Sequence, residues 1–330
     1  NDILETFEDA EGAILAIKAA IANKEISMEE IDFRVSKILM AKSWVGLDKY
    51  RPTEIKNLVA DLNTTKSDLL NRQLAEATIT LVKNDDKILP IKDLTKRIAS
   101  ISIDAVQSTA FQKMTDNYTT IDHFLLPPNA PDSSINKVLA QIQNYDLILV
   151  NLHLNNIRPA AKYGITDANK KALKALANTG KAITSIFGNP YSLDKFDDLE
   201  KSKAIIMAYQ LTNYMEEAAA QAIFGATPIL GKLPVSINNT YKYGMGESTK
   251  SIGRLAYGIP EMVGLDGAEF NRRIDSVINL GLREKAYPGA TMQVAKDGRV
   301  IYQKAFGFHT YEAANGAVLA NTDTKFKADN

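Results

Sequence analysis

Ile98-Ala99-Ser100-Ile101-Ser102-Ile103 and Leu147-Ile148-Leu149-Val150-Asn151-Leu152 are short, largely apolar runs, each followed by a stretch with helical spacing. Residues 119–124, 182–187 and 204–209 repeat the pattern, and helical segments at 135–142, 167–176 and 214–224 separate them. Continuous apolar strands alternating with helices are what a sheet covered on both faces requires, because each crossover lays a helix against it. The expected fold is therefore α/β, a doubly wound, mostly parallel sheet over residues 76–240. Such sheets hold ligands beyond the carboxyl ends of their strands. That rule points to the loops at 151–163, Gly188-Asn189-Pro190-Tyr191 and 210–213.

On the N-terminal side, Ala13, Ile14, Ile17, Ala20 and Ile21 recur at helical spacing. Asn23-Lys24-Glu25 interrupts them, and Ser27, with Glu30 at the capping-box position, opens a second helix carrying Ile31, Val35, Ile38 and Leu39. Two short helices cannot bury such stripes alone, so residues 1–50 must pack on something else, and the chain reads as part of a longer protein. Residues 51–75, from Arg51-Pro52-Thr53, read as a partly helical connector.

On the C-terminal side, residues 241–264 form a second linker. A further unit starts at 265: a helix over 270–282, a turn at Tyr287-Pro288-Gly289, and a hairpin of 290–295 and 300–306 closed by Asp297-Gly298. One helix and one hairpin cannot close a core, so this piece is expected either to be poorly ordered or to lean on its neighbour.

The 330 residues carry 39 Lys plus Arg and 39 Asp plus Glu, a balance that gives nucleic acid no field to bind. No apolar stretch reaches the roughly 20 residues of a membrane span. There is no cysteine, and the histidines at 123, 153 and 309 lack metal-ligand spacing, so neither a metal nor another cofactor is expected.

Gly225 to Lys232 has the outline of a phosphate-binding loop, but the spacing is off by one and Leu233 follows the lysine. The segment reads instead as a turn leading into an edge strand over 233–237. Two S-x-x-K matches, Ser134 with Lys137 and Ser192 with Lys195, sit at helix starts and read as N-caps rather than nucleophiles. The acidic pairs Asp85-Asp86, Asp197-Asp198 and Glu216-Glu217 read as solvated turns or helix faces. His153, ending a central strand, and Arg158 behind it are the candidate substrate-binding residues, set against a hydrogen-bonded structural histidine and a surface ion pair. A catalytic carboxyl pair cannot be selected from the sequence, so no catalytic residue is assigned.

Asn1-Asp2-Ile3-Leu4, Ala13-Ile14, Ile26-Ser27, Ile31-Asp32, Arg34-Val35 and Ile38-Leu39 resemble the end of the catalytic barrel of family 3 glycoside hydrolases, where a last strand is followed by closing helices. Leu74-Ala75-Glu76-Ala77, residues 80–84 and Leu89-Pro90-Ile91 resemble the opening of that family's α/β sandwich. Gly188-Asn189-Pro190-Tyr191 and Gly231-Lys232-Leu233-Pro234-Val235 are similar to its later landmarks. Tyr287-Pro288-Gly289-Ala290, Asp297-Gly298, Phe306-Gly307 and Asp323-Thr324 with Phe326 resemble the start of a class C β-lactamase-like domain, although Lys327-Ala328-Asp329-Asn330 departs from its S-x-x-K motif.

The resemblance to the β-N-acetylglucosaminidase branch implies a missing N-terminal (β/α)8 barrel, a carbohydrate substrate, and catalytic groups near a K-H-F-P-G-H-G-type motif that this chain lacks. Asp2 is then a support of the site or of the fold. The chain is expected to be an inactive accessory portion of a hydrolase acting on terminal β-linked N-acetylhexosamine, for instance in peptidoglycan fragments. The tail's resemblance suits an exported protein, periplasmic or secreted, while the absence of cysteine fits the cytoplasm as well. The alternatives are a noncatalytic glycan- or protein-binding module, and part of a serine acyl hydrolase.

Overall fold

The computed structural model describes residues 2–5, 8–308 and 310. His309, Asp323-Thr324, Phe326 and residues 327–330 lie outside the described residues. The chain divides into two compact units, residues 1–62 and 63–330.

The first unit holds α1 (Ala10–Ala22), α2 (Met28–Trp44) and α3 (Leu58–Leu62). Asp9 caps α1 by accepting the Gly12 N–H at 2.8 Å, and Ser27 caps α2 by accepting that of Glu30 at 3.1 Å. The Glu30 carboxylate pairs with Arg34 one turn on, so the reciprocal half of the capping box does not form. Residues 2–5 carry no strand, since a strand is defined by a neighbour and the described chain supplies none there. Asp2 instead pairs with Arg34 at 3.2 Å and Lys37 at 2.6 Å, and the hydrogen bond from Lys37 holds its carboxyl below the usual aspartate range. No described residue of this unit is buried. Phe33 and Met40 are each 64% exposed and Trp44 is 87% exposed, all on one face of α2.

The second unit begins with α4 (Thr65–Thr78), so the stretch read as a connector contains α3 and most of α4. Then come β1 (Thr80–Asn84), β2 (Ile98–Ile103), α5 (Ala110–Thr115), β3 (Ile121–Leu126), α6 (Asp132–Gln141), β4 (Leu147–His153), α7 (Asp167–Ala177), β5 (Ala182–Phe187), β6 (Ala204–Met207) and α8 (Asn213–Ile223). The six strands lie in the order β1-β6-β5-β4-β2-β3, parallel except for β1. Every residue of β4 is buried, and its side chains alternate between two cores. Leu147 and Leu149 join the α5 and α8 side, while Ile148, Val150 and Leu152 join the α6 and α7 side. Alternation with both faces apolar explains why the strand reads as one hydrophobic run.

The landmark residues have local reasons. Asn84 brackets the turn after β1, accepting the Leu89 N–H at 3.0 Å and donating to the Leu89 carbonyl at 3.1 Å, and the Leu89-Pro90 peptide is cis. Gly231 lies so close to the chain entering β1 that a Cβ would stand 2.4 Å from the Thr78 carbonyl oxygen. Residues 233–237 form no edge strand. Leu233 and Ile237 bond instead to Met245, Gly244 and Tyr241, and the free edge of β1 is met at one point by Glu247.

Beyond residue 241 the chain stays tied to the sandwich, with the Thr249 N–H on the Ile229 carbonyl at 3.0 Å and the Arg254 guanidinium on the Phe224 carbonyl at 2.8 Å. It then forms β7 (Ala256–Tyr257), α9 (Gly267–Arg283) and a hairpin of β8 (Gly289–Lys296) and β9 (Arg299–Gly307). Asp297 and Gly298 both have positive φ, as a tight two-residue hairpin turn demands. The hairpin leans on the sandwich: β7 pairs with β9, Val300 enters a core, and Arg299 grips Glu76 of α4 at 2.7 and 3.0 Å.

Candidate functional site

The order of the parallel strands reverses at β2. The chain leaves β2 through α5 to β3 at the edge, then returns through α6 to β4 on the other side of β2. At such a point the two crossover helices lie on opposite faces and leave a crevice beyond the strand ends. A cleft of about 990 Å³ opens here. Asp104, Ser108, Thr109, His153, Asn213 and Glu216 are part of its wall, and strands β8 and β9 supply the opposite side.

His153 is the last residue of β4 and only 4% exposed. Its Nδ1 lies 3.0 Å from the Ile103 carbonyl, its ring stacks on Phe187 at 5.3 Å between centroids, and its Nε2 makes no hydrogen bond to the described protein. Glu216 on α8 faces that nitrogen, with Oε1 at 3.6 Å, while Oε2 accepts the Phe111 N–H at 2.9 Å. Asp104, directly after β2, has a φ of +63° and accepts from the Asn169 side chain at 2.8 Å. Burial pushes its carboxyl above the ordinary aspartate value, against the opposing pull of the Asn169 hydrogen bond and of nearby His153.

Of the two sequence-predicted residues, His153 lines this cleft. Arg158 does not. It is exposed on the loop after β4, where its carbonyl accepts the N–H groups of Ala161 and Tyr163. Glu216 and Asp104 were missed. Glu216-Glu217 is no solvated face: Glu216 is 5% exposed and Glu217 pairs with Arg72 at 2.8 Å. The sequence signal was a charge set in Met215 to Ala222, where alanines otherwise mark a buried helix face.

The serine matches hold no activated nucleophile, and neither serine is an N-cap. The N-cap positions belong to Pro131 and Asn189. Ser192 is buried with an unbonded hydroxyl, and the Lys195 ammonium is on Asp194 at 3.0 Å. Among the described residues no cluster of His, Asp and Glu is arranged to hold a metal ion, and no helix is long and apolar enough to cross a membrane.

Fold and cleft together define a doubly wound α/β domain with a crevice at the strand-order reversal. Residues 79–272 match the glycosyl hydrolase family 3 C-terminal domain, so the chain belongs to that family. A Formosa agariphila protein carrying a provisional beta-xylosidase name is 25% identical over 240 residues, covering 63% of this chain and 31% of that protein. Among solved structures, a family 3 beta-N-acetylglucosaminidase from Paenibacillus sp. str. FPU-7 matches with a TM-score of 0.51 at 19% identity, over 69% of this chain and 43% of that one. A beta-glucosidase from Erythrobacter marinus matches with a TM-score of 0.52 at 17% identity, over 71% and 42%. At these identities the structural likenesses establish the fold. The chain spans less than half the length of each of these relatives.

Proposed function

We propose that this chain is the accessory α/β portion of a glycoside hydrolase that removes terminal β-linked N-acetylhexosamine, for instance from peptidoglycan fragments, by a retaining double displacement. The observation that carries the accessory role is the state of the cleft's carboxylates. Glu216 is held by the Phe111 N–H and faced by His153, and Asp104 is held by Asn169. Groups so tied position a ligand, whereas a glycosidase needs two carboxyls poised across the scissile bond. Hydroxyls, amides and the unbonded His153 nitrogen in the cleft suit a ligand rich in hydroxyl groups.

In this reading the uncovered apolar face of α2 packs on a catalytic (β/α)8 barrel, whose closing helices α1 and α2 are, and the tail opens a β-lactamase-like domain of an exported protein. The N-acetylhexosamine preference rests on the sequence resemblance described above. An aryl N-acetyl-β-glucosaminide should be turned over by the chain joined to its barrel and not by the chain alone. Turnover by the isolated chain would refute the accessory role. A stronger preference for a glucoside or xyloside in the joined protein would refute the substrate.

A further inference from the structure

The connection from β4 to α7 forms a second concavity, apart from the cleft at the strand-order reversal. Lys162, Tyr163 and Gly164 have φ of 49°, 59° and 78°, a run of left-handed backbone. L-residues visit that region singly and at a cost, so two adjacent non-glycine residues there are unusual. Strain of this kind survives where the surroundings impose it, and it concentrates at ligand sites. Here the Ala161 and Tyr163 N–H groups both bond to the Arg158 carbonyl at 3.1 Å, and the Ile165 N–H bonds to the Lys162 carbonyl at 3.0 Å.

The turn sends Tyr163 inward, where it is 8% exposed, and leaves Lys162 outside. Both line a cavity of about 310 Å³ together with Pro159, Ile165, Lys170 of α7 and Lys195 after β5. The size is at the lower end of the roughly 300–1,000 Å³ of small-molecule sites, room for one ring and not a chain. Three ammonium groups face one lining carboxylate, Asp167. Lys195 is engaged by Asp194, while Lys162 and Lys170 form no ion pair among the described residues. Ammonium groups left without a counter-charge around an apolar floor are a device for holding an oxyanion.

We infer that this cavity is a subsite for a single acidic sugar, one bearing a carboxylate or a phosphate, with the ring against Tyr163 and Pro159 and the anion between Lys162 and Lys170. The inference stands independently of the proposed hydrolase.

The test titrates the 330-residue chain at low ionic strength with glucuronic acid, glucose 6-phosphate and glucose, using calorimetry and ligand-observed NMR. At least one charged sugar saturates the site and glucose does not; the one that saturates distinguishes carboxylate from phosphate as the anion. The exposed pair Lys162→Ala and Lys170→Ala together weaken that binding at least tenfold without moving Tm, and His153→Ala leaves it unchanged. Glucose binding as tightly as the charged sugars, neither charged sugar saturating, or full affinity in the double variant would overturn the inference.

Discussion

Glu216 Oε1 lies 3.6 Å from His153 Nε2, across the floor of the cleft from where β4 ends. Because the Ile103 carbonyl can only accept, Nδ1 is the donating nitrogen, and a neutral ring would turn its Nε2 lone pair on the carboxylate. Glu216→Gln keeps an acceptor for the Phe111 N–H and offers Nε2 a donor, so it should change unfolding stability by less than about 1 kcal/mol. Glu216→Ala leaves the buried Phe111 N–H unpaired and should cost about 2–4 kcal/mol. Urea denaturation of both variants checks this, and equal losses would contradict the arrangement.

Asp104 gives the pH dependence. Its folded value is raised above 3.8 by burial, so the folded state binds the proton more tightly than the unfolded state does. The stabilisation from that proton is complete below the unfolded value and is lost as pH rises through the folded value. Asp104→Asn removes the penalty of an ionised carboxyl and tolerates the φ of +63°. The variant should be more stable than the parent at neutral pH, and the gap should close as pH falls through the raised value toward 3.8. Thermal unfolding between pH 3 and 7 measures it.

Gly231→Ala should destabilise the second unit by about 1–3 kcal/mol, the usual range for overpacking, because the atoms a Cβ would meet are the Thr78 and Ile79 carbonyls at 2.4 and 2.5 Å. Neither is a side chain that can swing away. Gly180→Ala, where nothing stands within 4 Å but φ is +67°, separates strain from crowding and should cost less. Paired denaturation curves test the contrast.

The sheet was legible where burial on both faces wrote itself into composition, as in residues 98–103, 147–152 and 182–187. Other features depend on partners far along the chain. Thr80 to Asn84 becomes an antiparallel edge because β6, more than a hundred residues later, lies beside it. The loop after β2 gained its role only when β4 docked next to it, which is why Asp104 was passed over and His153 was not. Ser134 and Ser192 are each the third residue of their helical turns, three past the N-cap, and position within a turn is what local sequence specifies least. The two S-x-x-K matches accordingly held neither caps nor nucleophiles.

The central claim is that the cleft around His153 is a binding wall and not the seat of chemistry. On the proposed reading it is tested most directly by steady-state kinetics of His153→Ala in the chain joined to the proposed barrel, on an aryl N-acetyl-β-glucosaminide. The account predicts KM raised about tenfold, some 1.4 kcal/mol, with kcat within about twofold of the parent. A collapse of kcat with KM unchanged would contradict it, and so would an enzyme indifferent to the substitution.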